Sequence, residues 1–525
     1  MRNQFCVAAA VLVMTLAACD GGGPGITPPP PSGNFSNASL NGQYAFSMSG
    51  VDARFGAYIA RVGTFTADGA GNIKGGLEDV LNLSSGRPAA IVSFTGGNYQ
   101  ILPNGRGLVV LQAAGSGLQL NLAMQSNSSG FLVQTDLNAS SSGTFNMQTS
   151  ADFSATALGS PYVFDFSGVS ILGGNVAPIS LIGQLKPDGS GTITGGVMDT
   201  NDGNVLAPSG ATAVTPGTYQ MDSIGNGTNF GRGTMTFNGR SYAFYIVDAT
   251  RFKVLEEDTL GGAMGDAVQQ ANTVPTQNSQ FMGSFVYMIG GASMLGTQGP
   301  IARAARFTTD GNGGLGTISF DDNNDGNYTH ISQGSNISAA SYAIDTVNAG
   351  SGRGTFAFTA SGEGVLSDVF YMISPTRAVV QETSNGIIGD GPFYAQTGGP
   401  FTLDGSAGNY VFNWSGVELS SPPVYEEDFV GQYTLSSATS SNITGVTDYV
   451  ELGLSPKSLF TDVGLGGTLT IASDGTANNL SKFVLGGSHS ATVNFQAYFA
   501  NSGTVLLVCS DSSRTTAGIV LQQSQ

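Results

Sequence analysis

The chain has 525 residues, with 18 Lys and Arg against 36 Asp and Glu, for a formal net charge of −18. An acidic surface of this kind repels phosphate backbones and anionic headgroups, which excludes nucleic-acid binding and electrostatic docking on a membrane. With 77 glycines, 40% hydrophobic residues and only 10% charged residues, the composition excludes a charge-rich disordered chain and points to an all-β protein with many turns.

The first element is a leader. Met1-Arg2-Asn3-Gln4 is followed by an apolar run from Phe5 to Leu16 and then by Ala17-Ala18-Cys19. A basic start, a short apolar stretch and small residues before a break mark a secretory signal, and the run is too short to span a bilayer. Leu16-Ala17-Ala18-Cys19 resembles the lipobox of bacterial lipoproteins. The resemblance implies a signal peptide over residues 1–18, removed in the mature protein, and lipidation of Cys19 with fatty acyl chains such as palmitate. Residues 19–38 then read as a tether, flexible through Asp20-Gly21-Gly22-Gly23-Pro24-Gly25 and stiff through Pro28 to Pro31. The expected location is the bacterial cell envelope, with the lipid as the membrane attachment. Asp20 after the Cys resembles the inner-membrane retention signal of some lipoproteins, a rule that differs between bacteria, so inner and outer membrane both stay open. Cys6 leaves with the leader and Cys19 is consumed by lipid, so Cys509 has no disulfide partner.

Four repeats follow, of about 120 residues each, assigned to residues 39–150, 151–270, 271–398 and 399–525. Each opens with a strand in which large residues alternate with small or polar ones: Tyr44-Ala45-Phe46-Ser47-Met48, Tyr162-Val163-Phe164-Asp165-Phe166, Phe285-Val286-Tyr287-Met288-Ile289 and Tyr410-Val411-Phe412-Asn413-Trp414. Period 2 is the signature of a strand with one buried face. An Asp-Gly turn comes next at Asp68-Gly69, Asp188-Gly189 and Asp310-Gly311, and is lost from the fourth unit. Between two strand-like runs this dipeptide signals a hairpin. Gly105-Arg106-Gly107, Gly231-Arg232-Gly233 and Gly352-Arg353-Gly354 enter a later strand, for which the fourth unit offers Gly466-Gly467-Thr468. Each unit closes on a Gln, read as Gln148, Gln270, Gln396 and Gln522.

Unit two divides into eight strands near 162–167, 179–186, 192–198, 211–221, 233–237, 241–247, 251–256 and 263–269. Short connections make these an antiparallel meander, and eight such strands close into a small β-barrel; a β-sandwich is the alternative. The opening Gly42-Gln43-Tyr44 and Gly408-Asn409-Tyr410 resemble the Gly-x-Trp start of the calycins, the lipocalins and avidins. That resemblance implies barrels able to hold a small apolar ligand in the lumen. From about residue 39 onwards the chain resembles uncharacterised repeat-bearing lipoproteins of environmental bacteria, a likeness that implies no activity.

Catalytic and metal chemistry is sparse. The two histidines, His330 and His489, fall in different landmarks, which excludes a His-based catalytic or metal site repeated in every unit. Cys509 lies in the apolar run Val505-Leu506-Leu507-Val508 and reads as a structural thiol. Asp321, Asn323 and Asp325, followed by Gly326, form the first half of a calcium loop, with Ser332 where the twelfth-position Glu belongs. Unit two has the related Asp199 to Asn204. Apart from this calcium candidate no cofactor is expected. The late acids Asp136, Glu256-Glu257-Asp258, Glu382 and Asp511 read as strand-end charges, and Arg106, Arg232 and Arg353 are expected to pair with acids of their own unit. The aromatic stripe Tyr410, Phe412 and Trp414 reads as core rather than as a sugar-stacking platform. The expected function is therefore a non-catalytic binding or structural scaffold at the envelope. The alternatives are small apolar ligand binding in the lumens and a polysaccharide-binding or polysaccharide-active protein.

Overall fold

The computed structural model describes residues 26–84, 86–205, 208–222, 229–295, 298–332, 336–419, 425–438, 442–452, 458–485 and 491–524. The signal peptide, Cys19 and His489 lie outside the described residues. Within them the chain forms four antiparallel sheets of eight, nine, nine and eight strands, one per repeat. The first and fourth are closed barrels. The second closes through pairing of Asn175–Pro187 with Thr192–Asp202, and the third narrows its gap with a bridge between Gly314 and Ser341. The expected meander holds for most of the chain: strands pair with their sequence neighbours except Ser209–Ala213 with Gly217–Met221 and Asn327–Ser332 with Ile337–Ile344, and the opening strand of each unit pairs with its last. The ninth strand of unit two arises where the expected run 211–221 breaks into Ser209–Ala213 and Gly217–Met221 around Pro216. Proline has no N–H to give the ladder. Among the described residues no helix is long and apolar enough to cross a membrane.

The large residues of each opening strand point into the barrel. Tyr44, Phe46 and Met48 share a core with Phe65, Phe94 and Phe145; Tyr410, Phe412 and Trp414 do so with Phe429, Phe495 and the Cys509 thiol. The barrel interiors are thus filled with aromatic and aliphatic side chains, and the aromatic stripe of unit four is core, at most 1% exposed. A short 3-10 turn precedes each opening strand, and in every unit a tyrosine holds it: Tyr99 OH donates to Asn37 and Leu40 carbonyls, Tyr219 OH to Ala155, Tyr342 OH to Asn278 and Phe281, and Tyr410 OH of the opening strand itself to Ser406.

The opposite face of the opening strand departs from the sequence expectation, because it too is buried. The small residues between the large ones, Ala45, Val163, Val286 and Val411, pack on the neighbouring barrel. The outer face of the first three strands of one barrel meets the two strands that precede the last strand of the next. Ala45, Val62 and Leu81 pack on Tyr245, Val247 and Leu255. Val163, Ile182 and Val197 pack on Tyr371, Ile373 and Val379. Val286, Ala302 and Ala304 pack on Tyr498, Leu506 and Val508. The fourth interface closes the series, with Val411, Val430 and Val450 of the last barrel on Ala123, Phe131 and Val133 of the first. Four head-to-tail contacts that return to their start make a ring, where the repeats alone suggested a string.

One glutamine fastens each contact. Gln148 Nε2 donates to the Phe230 and Ile246 carbonyls of barrel two, Gln270 Nε2 to Ser351 and Met372 of barrel three, and Gln396 Nε2 to Asp474 and Phe499 of barrel four. The fourth member is Gln523, one residue beyond the expected Gln522; its Nε2 donates to Asn104 and Met124 of barrel one. A positive-φ glycine lies under each of three of these side chains: a Cβ on Gly105, Gly352 or Gly475 would stand 2.8–2.9 Å from the Gln nitrogen. Gly475-Thr476, rather than Gly466-Gly467, is therefore the fourth copy of the Gly-Arg element. Gln523→Ala should expose the 4–1 contact by leaving two interface carbonyls without their donor. A loss of about 1–3 kcal/mol is expected in chemical unfolding, together with faster proteolysis of the C-terminal strand.

Candidate functional site

The functional geometry lies between the barrels, in the interface clusters and on the ring axis. Each third strand carries one aspartate on its outer face: Asp79, Asp199, Asp321 and Asp448. Each meets the next barrel. Arg232 grips Asp79 with two parallel bonds, Nε to Oδ2 at 2.7 Å and Nη2 to Oδ1 at 2.8 Å, and Tyr245 OH donates to the same carboxylate. Arg353 and Tyr371 grip Asp199 in the same way, both arginine bonds at 2.8 Å. Arg106 holds Asp448 and also reaches Asp462, both in barrel four.

The expected own-unit pairing is thus corrected. The main partner of each Gly-Arg-Gly arginine lies in the preceding barrel, and own-unit acids (Asp222 and Glu257 for Arg232, Asp345 for Arg353) are additional. Two buried ions with paired hydrogen bonds fix orientation as well as energy.

At the third interface Thr476 replaces the arginine, and the acid is satisfied differently. Asp321 accepts from Tyr498 OH of barrel four, from Tyr328 OH, and from His330 Nδ1 at 2.7 Å. The hydrogen bond to Asp321 raises the His330 pKa above its ordinary value, so the imidazole takes at this contact the place beside the acid that arginine takes elsewhere.

These contacts account for the two calcium-like stretches. Asp321 and Asn323 alternate onto one strand face. The Asn323 Nδ2 donates to the Cys509, Asp511 and Arg514 carbonyls of barrel four, and its Oδ1 accepts from Gly326 N and Thr515 Oγ1. Asp325 sits in the adjoining turn at φ 51°, its N–H donating to Pro300. Asn201 does in barrel two what Asn323 does in barrel three, donating to the Glu382 and Ile387 carbonyls. Among the described residues no three His, Cys, Asp or Glu side chains are grouped to hold a metal ion. The late acids are likewise dispersed, Glu256 and Glu382 into ion pairs with Arg240 and Arg303, Asp136 and Asp511 into hydrogen bonds from Gln134 and Asn494.

On the ring axis the first and last strands of the four barrels face one another around a cavity of about 380 Å³, to which all four contribute: Thr144, Asp165, Arg377 and Ile519 are one residue from each. A second space of about 270 Å³ shares the Thr144, Arg377, Tyr394 and Ile519 walls and adds Arg251. Six ionisable groups gather here. Arg251 donates to Asp266, which also receives the Lys253 ammonium at 3.2 Å. Lys253 is fully buried and its Nζ further bonds Thr144 Oγ1 and Ser47 Oγ. Burial pushes Lys253 down to about 8, against the pull of Asp266. Burial alone would raise Asp266, but Arg251 and Lys253 outweigh it and hold its carboxyl low. Asp165 and Asp390 have no such close ion pair, although Arg377 draws the Asp165 carboxyl down in part. Burial, reinforced by Asp390, holds Asp165 well above the usual carboxylate range, and burial pushes Asp390 up to about 6. The Asp165 Oδ1 has no hydrogen-bond partner, and among the described residues neither has the Arg377 side chain. None of these groups stood out in the sequence. The periodic signal that could have shown the interface acids is an Asp eleven residues after each turn Asp, at 68/79, 188/199 and 310/321.

No family model matches the chain, and no curated protein does. Among solved structures, it is similar to a tryptophan-to-alanine mutant of the vaccine antigen transferrin binding protein B from Haemophilus parasuis Hp5, at 10% identity over 72% of this chain and 77% of that one, with a TM-score of 0.20. It is also similar to intact Ap-TbpB, with its N and C lobes, at 9% identity over 94% of this chain and 79% of that one, with a TM-score of 0.16.

Arg232→Ala should cost about 3–5 kcal/mol, because Asp79 stays buried without its counter-charge. Adding Asp79→Asn to that variant should recover part of the loss, and urea unfolding of the single and double variants measures both. The pH dependence has a definite sign. Asp390 and Glu451, at about 6 and about 7, bind protons in the fold that the unfolded chain has already released, as does His330 above its unfolded pKa. Their stabilisation is full below the unfolded values and is lost as pH rises through the folded ones. The unfolding midpoint should therefore fall between pH 5 and 7.5, and Lys253 should add stability only above pH 8, where the fold has released its proton and the unfolded chain has not.

Proposed function

We propose that the chain is an exported lipoprotein of the bacterial cell envelope, anchored through acylated Cys19, whose ring of barrels is a non-catalytic scaffold for a protein partner. The observation that supports the scaffold most is the closure of the ring. Filled barrels, buried ion pairs and glutamine fasteners immobilise four copies of one surface in a fixed arrangement, and pre-organised surfaces bind with little ordering cost. The tips of the first hairpins come to equivalent places on such a ring, and three of them carry apolar side chains more than half exposed: Phe55, Leu172 with Val176, and Leu295. Exposed apolar residues recurring at one edge suit a protein partner. A polysaccharide would call for exposed aromatic platforms, and the aromatic stripe is core.

The tether sets the ring off the membrane, and lipid makes the attachment. In cells fed radiolabelled palmitate, the wild-type chain should carry label and fractionate with membranes, whereas Cys19→Ala should lose both properties while keeping its unfolding midpoint. Label that persists in the variant would remove the anchor from this reading.

A further inference from the structure

We infer that the cavity on the ring axis is a binding site for a small amphipathic carboxylate, with Arg377 as the anchor for its head and the surrounding apolar walls holding its chain. This goes beyond the scaffold reading and does not depend on lipidation or on any partner at the hairpin tips.

The polar side of the argument is a matter of what is left over. Of the cations at the axis, Arg251 and Lys253 are both engaged by Asp266. Arg377 borders both spaces and makes no close ion pair or hydrogen bond among the described residues; the one carboxylate it acts on is Asp165, whose pKa it draws down against burial. A guanidinium, with donors in a fixed fork, matches a carboxylate geometrically. Of the acids, Asp266 is held by its two cations, and Asp390 is hydrogen-bonded by Ser167 and Ser180. Asp165 alone keeps a carboxyl oxygen without a partner. Burial and the neighbouring Asp390 raise the Asp165 pKa, with Arg377 pulling the other way, and its unpartnered Oδ1 borders the space.

The apolar side is supplied by the other barrels. Met288, Ile373, Val379, Pro392 and Ile519 line the larger space. Its volume of about 380 Å³ lies in the range of ligand-sized cavities. The site exists only in the closed ring, since each barrel contributes one wall. It also differs in position from a calycin-type lumen, because the lumens are filled and this space lies between barrels.

The test uses the full Cys19→Ala chain, whose own acyl groups cannot compete, titrated calorimetrically with decanoate and with decyltrimethylammonium. Saturable one-to-one decanoate binding is expected, with at least tenfold weaker binding for Arg377→Gln and none for Met288→Trp, which fills the space. Arg377→Gln breaks no hydrogen bond or close ion pair in the ligand-free ring, so the variant should still unfold cooperatively near the parent midpoint. It decides the matter alone if Met288→Trp does not fold. Three results would overturn the site: no decanoate binding, equal binding by Arg377→Gln, or decyltrimethylammonium binding as tightly as decanoate. Each leaves the palmitate-labelling result for Cys19 untouched.

Discussion

A closed barrel removes the free edges of its sheet but not the character of its outer face. Here the outer face of the first three strands in every repeat is apolar and small, and each needs a cover of the right shape. The two strands before the last one of the following barrel provide it. Because the same surface pair is used each time and the fourth contact returns to the first barrel, no copy of the sticky face is left over. A heterologous contact of this kind would polymerise if its rotation did not close within one chain. Four repeats satisfy the rotation, and the chain's own C-terminus ties the last barrel to the first through Gln523.

The polar groups at the contacts follow from that burial. A carboxylate taken into an apolar interface is costly unless it is both paired and hydrogen-bonded. Asp79 and Asp199 are each given an arginine fork and a tyrosine hydroxyl. Where one partner has been substituted, others have shifted to cover the same acid. Ala123 occupies the tyrosine's register beside Arg106, and Asp462 supplies its N–H to Asp448 instead. Thr476 occupies the arginine's place at the third contact, and His330 with Tyr328 takes over Asp321. The position of the acid is invariant across the four contacts; the chemistry that neutralises it is not. The axis differs again, since there the four barrels bring Ser47, Asp165, Met288 and Asn413 to one repeat position. Identical strands thus enclose a space whose four walls are chemically distinct.

Much of the barrel was legible in the chain itself. The period-2 stripe from Tyr162 to Phe166 and the Asp-Gly turns located the strands of unit two to within a few residues, because side-chain alternation and positive φ are local requirements. The small residues between the large ones were harder to read. Ala45, Val163 and Val411 look like the solvent side of a half-buried strand, and only the neighbouring barrel makes them core. Asp321 and Asn323 admit two readings in the same way. Their spacing fits a metal loop, but a strand also puts residues two apart on one face, and that face meets barrel four.

The sequence by itself determined that there are four all-β units, where each strand turns, and that large alternate residues fill each barrel. These properties depend on residues near one another in the chain. Tertiary structure decided that the units close into a ring, that Arg232 and Arg353 reach the preceding barrel as well as acids of their own, and that six ionisable groups meet at an axis. Those outcomes join residues more than a hundred positions apart, such as Arg232 with Asp79 and Arg106 with Asp448. No local periodicity encodes such a distance; the packing of one apolar outer face on another does.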